Sequence, residues 1–288
     1  MKHKSLSSSA MLLDLNISVY TGRKQDKATA TEVSVAKGAR TSATSVQKNL
    51  FAEDKDLEAI NSFAGVSRTW LYSVTLPWSD SGTRLIPTKA FMDVSHELTQ
   101  REQEFNVLVD TFVQNFSTKV AAQAFKLGKL FDVREYPMES EMHRKFGFHY
   151  HFAPVPESGD FRVDIPAEAA LQLKNKFEAS VKSRVQEAMN VPWERLYQEV
   201  VHIRAKMLPK EDGKPQKLYA SMLENALGLC TTLQSLNVLD DPDLEAARRA
   251  LESSLVDVDI KSLRESPEMR ESIIIKMDDL TDKFSLSL

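Results

Sequence analysis

The most regular hydrophobic pattern in the chain follows Pro87. Phe91, Leu98, Phe105 and Phe112 recur every seven residues, which is the period at which helices pack against each other in coiled coils. No proline interrupts residues 88–136. We predict one long helix over 88–131, roughly 60–70 Å in length. Because such a rod is too extended to shield its own apolar stripe, we expect other helices to cover it, from this chain or from a second copy.

Alternating apolar and polar residues predict a small antiparallel sheet. The first strand carries its apolar side chains on one face at Leu13, Leu15, Ile17 and Val19. The predicted strands cover residues 12–20, 69–76, 83–86, 146–155 and 161–165. Between the first two, residues 21–50 have no large apolar stripe and predict a weak helix or a mobile surface segment. Leu57, Ile60 and Phe63 at helical spacing predict a short helix over 54–63.

The second half of the chain has helical periodicity. We predict helices over 166–207, with a restart at Pro192, and a set of shorter helices over 215–288. Two of these begin with a capping residue, a proline and an acid, at 241–243 and 266–268, a combination that favours a helix start. The prediction is a mostly helical α+β fold: long antiparallel, coiled-coil-like helices with a small antiparallel sheet at one end.

Composition and charge suggest three regions. The 288 residues are 42% apolar and 27% charged, with net charge −4 and a single cysteine, as in ordinary globular proteins of a reducing compartment. No stretch approaches the ~20 apolar residues of a membrane span, so we expect a cytoplasmic protein without membrane contact. Boundaries are predicted for a basic arm with one strand (1–50), an α+β body (51–209) and an acidic helical region (215–288).

The charge is distributed unevenly along the chain. Residues 1–50 hold eight Lys/Arg against three acids, whereas residues 237–288 hold seven against thirteen. Opposite charge at the two ends suits head-to-tail contact between identical subunits, but a basic tail also suits nucleic acid. Under either hypothesis the contact residues of the arm are Arg23, Lys24, Lys27, Lys37 and Arg40. The aromatic residues Tyr20, Trp70, Tyr72 and Trp78 are candidates for stacking on unpaired bases.

Motifs of enzyme chemistry are missing from the sequence. There is no dinucleotide fingerprint, P-loop, nucleophile elbow or paired-cysteine zinc pattern. His96 and Glu97 begin a zincin-like motif, but Gln100 stands where the second ligand is needed. We predict no catalytic residue and no cofactor, and we interpret Cys230 as a small buried apolar residue.

One histidine cluster leaves a metal site open as an alternative. His149 and His151 fall on the same face of a predicted strand, close to His143, and such imidazoles can share one metal ion. The competing interpretation is that the alternating aromatic residues form the buried face and leave the histidines on the wetter one. Those aromatic residues are Phe146, Phe148, Tyr150 and Phe152.

Several short stretches resemble an uncharacterised family of bacterial and phage proteins catalogued only as a domain of unknown function. These stretches are residues 15–24, 82–87, 236–242 and 262–264. The resemblance covers most of the chain and implies no catalytic residue. Some members are encoded beside AAA-type ATPases of the MoxR kind and von Willebrand A-domain proteins, which are the partners that the resemblance implies.

These observations favour a non-enzymatic scaffold or adaptor that associates with itself, phage-encoded in line with the resemblance. Its basic arm would contact a neighbour's acidic helices in the bacterial host cytoplasm. The predicted self-association residues are Leu13, Leu15, Ile17, Val19, Phe91, Leu98, Phe105 and Phe112. The first alternative is a DNA- or RNA-binding protein that uses the same arm. The second is a metal-dependent enzyme built on His143, His149 and His151.

Overall fold

A computed structural model describes residues 6–156, 166–211 and 213–284. The predicted strand 161–165 lies outside these ranges. The fold is mostly helical α+β, which confirms the predicted fold class. The helices are α1 (Leu6–Ser9), α2 (Lys27–Ala36), α3 (Lys55–Val74), α4 (Phe91–Gln114), α5 (Phe116–Leu127), α6 (Glu139–Met142), α7 (Ala167–Met207), α8 (Ala220–Leu236), α9 (Pro242–Leu255), α10 (Ile260–Glu265) and α11 (Pro267–Lys283).

Six strands form two sheets among the described residues. They are β1 (Ala10–Ser18), β2 (Arg23–Gln25), β3 (Gln47–Asn49), β4 (Leu76–Pro77), β5 (Arg84–Pro87) and β6 (Gly147–Pro154). The larger sheet has the order β4-β5-β1-β6, with Ala10 opposite Pro87 and Leu76 opposite Leu85 in antiparallel register. The smaller sheet is the antiparallel ribbon of β2 and β3. Three predicted strands, 12–20, 83–86 and 146–155, are confirmed to within two residues.

The predicted strand over 69–76 is wrong. Helix α3 continues from Lys55 to Val74, and only Leu76–Pro77 is extended. The β-branched and aromatic residues of this segment misled the prediction, because the buried positions keep helical spacing throughout. These positions are Leu57, Ile60, Ala64, Ser67 and Leu71. Packing of this stripe overrides the local β propensity.

Two predicted helix boundaries also need correction. The single helix predicted over 88–131 is two helices, α4 and α5, which are separated at Asn115. Conversely, the helix predicted to restart at Pro192 is the continuous 41-residue helix α7 with Pro192 inside it. A proline removes one helical hydrogen bond, but Ala188 and Leu196 on either side are fully buried, and this packing keeps the helix continuous.

The chain divides into two compact units that are interleaved along the sequence. The first comprises the described residues of Met1–Asp14, Leu71–Val94 and His151–Leu288. The second comprises Leu15–Trp70 and Ser95–Tyr150. These units do not follow the sequence-contiguous boundaries proposed at residues 50 and 209.

Each unit has its own core. In the first, α7, α8, α9, α10 and α11 enclose a cluster that includes Leu196, Ala226 and Leu251. In the second, Phe51 lies at the centre of an aromatic group, with its ring centroid 5.3 Å from that of Phe112 and 5.6 Å from that of Phe116. None of the described helices is both long enough and apolar enough to cross a bilayer.

Candidate interaction surfaces

The basic arm folds into an ordered element that we call the basic module, residues 21–50. Its ribbon pairs Arg23 with Asn49, and α2 lies between the two strands in sequence. Asp26 caps α2, because its carboxylate accepts a hydrogen bond from the Thr29 amide at 3.0 Å. This bond holds the pKa of Asp26 below its usual range. Local chemistry thus builds a folded element in a region for which the sequence predicted only a weak helix or mobile segment.

The base of the basic module is fixed to the second unit. Gly22 has φ +63°, and a Cβ there would lie only 3.2 Å from Leu57 and 3.3 Å from Phe51. Lys48 donates a hydrogen bond to the Leu130 carbonyl at 2.9 Å and forms an ion pair with Glu135 at 2.5 Å. The Lys48 ammonium group is therefore already bound within the chain, unlike the other cations of the module.

Those other cations are the five contact residues that the sequence predicted. All of them are exposed: Arg23, Lys24, Lys27, Lys37 and Arg40. None of the five forms an ion pair with a carboxylate in the described parts of the chain. The module holds six basic and two acidic residues, a net charge of +4. In addition, Val35 on α2 is 73% exposed, so the charged surface has an apolar side chain within it.

Helix α11 carries an exposed surface of opposite charge. The helix starts at the predicted position, where the Ser266 hydroxyl accepts a hydrogen bond from the Met269 amide at 3.1 Å. It buries Ile273, Met277 and Leu280. The side chains turned away from these residues form what we call the acidic face: Glu268, Glu271, Ile275, Asp279 and Asp282.

The N-terminal half of the acidic face borders a shallow, open hollow. This hollow of about 550 Å³ is lined by Glu268, Glu271, Ile275 and Lys276 among others. Ile275 is 54% exposed. Four carboxylates with one lysine leave a net charge of −3 around this isoleucine. The sequence predicted the acidic region but not the face, although acids spaced at 268, 271, 279 and 282 carried the signal.

The predicted self-association residues are mostly core residues of the chain, and this is a correction. Buried members are Leu13, Ile17, Leu98, Phe105 and Phe112, whereas Leu15, Val19 and Phe91 are half-buried. Strand β6 covers the phenylalanine stripe: the ring centroids of Phe105 and Phe148 are 5.7 Å apart, and those of Phe112 and Phe146 are 5.8 Å apart. A strand of the same chain takes the place of the expected neighbouring rod.

The three histidines do not form the predicted metal site. His143 lies with its Nε2 atom 3.1 Å from Asp110, and the ring of His149 folds back over Gly147, where an added Cβ would be 2.9 Å from Nε2. Within residues 6–156, 166–211 and 213–284 no three His, Cys, Asp or Glu side chains are grouped to hold a metal. The competing interpretation is confirmed: Phe146 and Phe148 are buried, and His149 and His151 are exposed.

The aromatic candidates for base stacking are engaged within the chain. They are Tyr20, Trp70, Tyr72 and Trp78. The Tyr20 ring meets Phe51 edge-on at 6.1 Å, and burial raises its pKa. Guanidinium groups cover two others, with Arg101 4.6 Å from the Trp70 centroid and Arg84 4.8 Å from the Tyr72 centroid. Trp78 is 6% exposed. None of these rings offers two open faces to a base.

The single cysteine lies in the core. Cys230 is fully buried in α8, and burial raises the pKa of its thiol to about 11. A thiolate nucleophile needs a lowered pKa and access to solvent. This confirms the interpretation of Cys230 as a small apolar residue.

Comparisons of the chain with family models, with curated proteins and with solved structures find no match. The resemblance to a bacterial and phage family therefore stays a prediction, as do the ATPase and von Willebrand A-domain partners that it implies.

Proposed function

We propose that this protein is a self-associating scaffold, in which the basic module of one copy docks on the acidic face of another. The observation that supports it is the set of five exposed cations, Arg23, Lys24, Lys27, Lys37 and Arg40, which have no carboxylate partner among the described residues. Two such surfaces repel each other, whereas a surface of opposite charge attracts them.

The two surfaces are complementary in charge, and both expose apolar side chains. The basic module has net charge +4, and the acidic face together with the neighbouring Lys276 has net charge −3. Each also exposes large aliphatic side chains, Val33 and Val35 in the module and Ile275 in the hollow of α11. Burial of an apolar contact inside a ring of opposite charges is the usual anatomy of a protein interface, with a hydrophobic centre and a polar rim.

Docking of two different surfaces makes the assembly heterologous. In such an arrangement every copy offers one free module and one free face, so the contact generates rings or open filaments. Exposed ion pairs contribute only about 0.2–1 kcal/mol each, and several must act together. We therefore expect association that is weak per contact and sensitive to salt.

The test is the molar mass in solution, measured by light scattering over a concentration series. At about 50 mM salt the mass should rise with concentration, and at about 500 mM salt it should return to that of the monomer, because salt screens exposed charges. The double variant Arg23→Glu/Lys24→Glu should weaken association about tenfold or more. The matched control, Lys174→Glu/Lys176→Glu on α7, makes the same charge change outside the module and should associate normally.

Two results would overturn the proposal. One is a monomer at every concentration and salt. The other is equal loss of association in the control variant. A monomeric protein that binds oligonucleotides through Arg23 and Lys24, with affinity that falls as salt rises, would replace the scaffold by the nucleic-acid alternative.

A further inference from the structure

A second surface pocket in the first unit has the chemistry of an anion site. It has a volume of about 370 Å³ and lies where the segment 215–219 meets Arg264 of α10 and Arg270 of α11. Three of its lining residues are cations, Lys217, Arg264 and Arg270, and none of its lining residues is an acid. Two of these cations, Arg264 and Arg270, belong to residues 237–288, where acids outnumber bases thirteen to seven.

Backbone carbonyls hold the two arginines in place. Arg264 donates from Nε and Nη2 to the Leu218 carbonyl at 2.9 and 2.6 Å. Arg270 donates from Nε to the Leu263 carbonyl at 2.6 Å and from Nη2 to the Arg264 carbonyl at 2.8 Å. Neither guanidinium is neutralised by a carboxylate among the described residues, and both keep their Nη1 groups free of any acceptor there. The positive charges are fixed in position but not compensated.

Lys217 is the third cation that lines the pocket. Its side chain is exposed, and it forms no ion pair or hydrogen bond with the described residues. Tyr219 is 62% exposed and also lines the pocket. Planar guanidinium groups bind phosphate oxygens through paired donors, and an ammonium adds a point charge. The pocket is larger than a bare phosphate needs, so it has room for an organic group beside the Tyr219 ring.

We infer that this pocket binds a small phosphate monoester, with the phosphate at Arg264, Arg270 and Lys217 and the organic part against Tyr219. The site shares no residue with the basic module or with the acidic face. Inorganic phosphate, ribose 5-phosphate and AMP share the anion and differ in the organic part, and adenosine lacks the anion. These four compounds are the probes.

The experiment is calorimetric titration of the full chain with each probe. AMP should bind most tightly, ribose 5-phosphate and inorganic phosphate more weakly, and adenosine not at all. Lys217→Ala should weaken AMP binding about five- to tenfold, since it removes one charge-assisted contact. Among the described residues, this variant removes no hydrogen bond and no ion pair. Arg270→Lys, which keeps the charge and loses the fork, should also weaken binding, with circular dichroism to verify folding.

Lys261→Ala on α10 is the matched control, because it removes an exposed cation of the same region that does not line the pocket. It should bind AMP like the unmodified chain. Failure of all three phosphates to bind at millimolar concentration would overturn the inference. So would adenosine binding as strong as AMP binding, or equal affinity of the Lys217→Ala variant and the unmodified chain.

Discussion

At the scale of single residues, Arg248 is buried in a way that the sequence does not predict. It is one of seven basic residues in an acidic region, yet its side chain is only 7% exposed. It donates to Glu245 at 2.8 and 2.9 Å and to Glu252 at 2.7 Å on the same helix. The spacing of three and four residues predicts these pairs, but not their burial, which depends on how α9 packs on α8.

This cluster makes stability depend on pH. Hydrogen bonds from Arg248 are the main cause that holds the pKa of Glu245 at about 2, against an ordinary value of 4.5. A depressed pKa in the folded state stabilises the fold above the unfolded value, and this contribution is lost as pH falls. The loss should therefore occur between pH 4.5 and about 2.

We expect Glu245→Gln to lower the free energy of unfolding by about 1–2 kcal/mol at pH 6, since it weakens hydrogen bonds to a charged group. The difference from the unmodified chain should narrow at pH 3. Urea unfolding at the two pH values measures both quantities, and Glu224→Gln, at an exposed position of α8, should have no effect. A difference that stays the same at pH 6 and pH 3 would contradict this assignment.

At the scale of elements, α3 shows where pattern and propensity conflict. The sequence predicted its first half, from the spacing of Leu57, Ile60 and Phe63, and took residues 69–76 for a strand. The start of the helix is strongly specified, because the Asp54 carboxylate accepts hydrogen bonds from the amides of Asp56 and Leu57 at 3.1 and 3.0 Å. Its other oxygen accepts one from Lys119 at 2.8 Å. A contact 65 residues away in sequence cannot be inferred from local pattern.

Substitutions at Asp54 should separate the cap from the ion pair. Asp54→Ala removes both and should cost about 2–3 kcal/mol of unfolding free energy. Asp54→Asn keeps a capping oxygen and loses the charge, so it should cost about 1 kcal/mol. Chemical denaturation of both variants provides the measurement. A loss below 0.5 kcal/mol for Asp54→Ala would show that the cap does not contribute.

The phenylalanine stripe of α4 is a second element whose packing partner the sequence pattern does not specify. A seven-residue period indicates an apolar stripe and does not specify what covers it. Here Phe105 and Phe112 meet alternate residues of β6, Phe148 and Phe146. A strand buries every second side chain, and the aromatic alternation of residues 146–152 was visible in the sequence. What the sequence could not provide was the pairing of these two patterns.

At the scale of the whole molecule, the sequence predicted the asymmetry of charge and the five cations of the basic module. It did not predict that residues 21–50 fold into a capped helix and a ribbon. Nor did it resolve the acidic residues of the C-terminal region into paired and unpaired sets. Glu245 and Glu252 are bound to Arg248, and Asp278 to Arg204. The acids left unpaired on α11 become apparent only once the tertiary contacts are known.

In the proposed assembly, the basic module and the acidic face are the two halves of one contact between copies. One variant, Arg23→Glu/Lys24→Glu, has a defective module and an intact face. A second, Glu271→Lys/Asp279→Lys, has an intact module and a defective face. The first variant then keeps only a functional face, and the second keeps only a functional module.

The most direct measurement is the molar mass of each variant alone and of their equimolar mixture at low salt. Each variant alone should be a monomer. The mixture should form a complex of twice the monomer mass and nothing larger, because one functional module meets one functional face. A mixture that stays monomeric while the unmodified chain assembles, or a variant that assembles alone as the unmodified chain does, would contradict the proposed assembly.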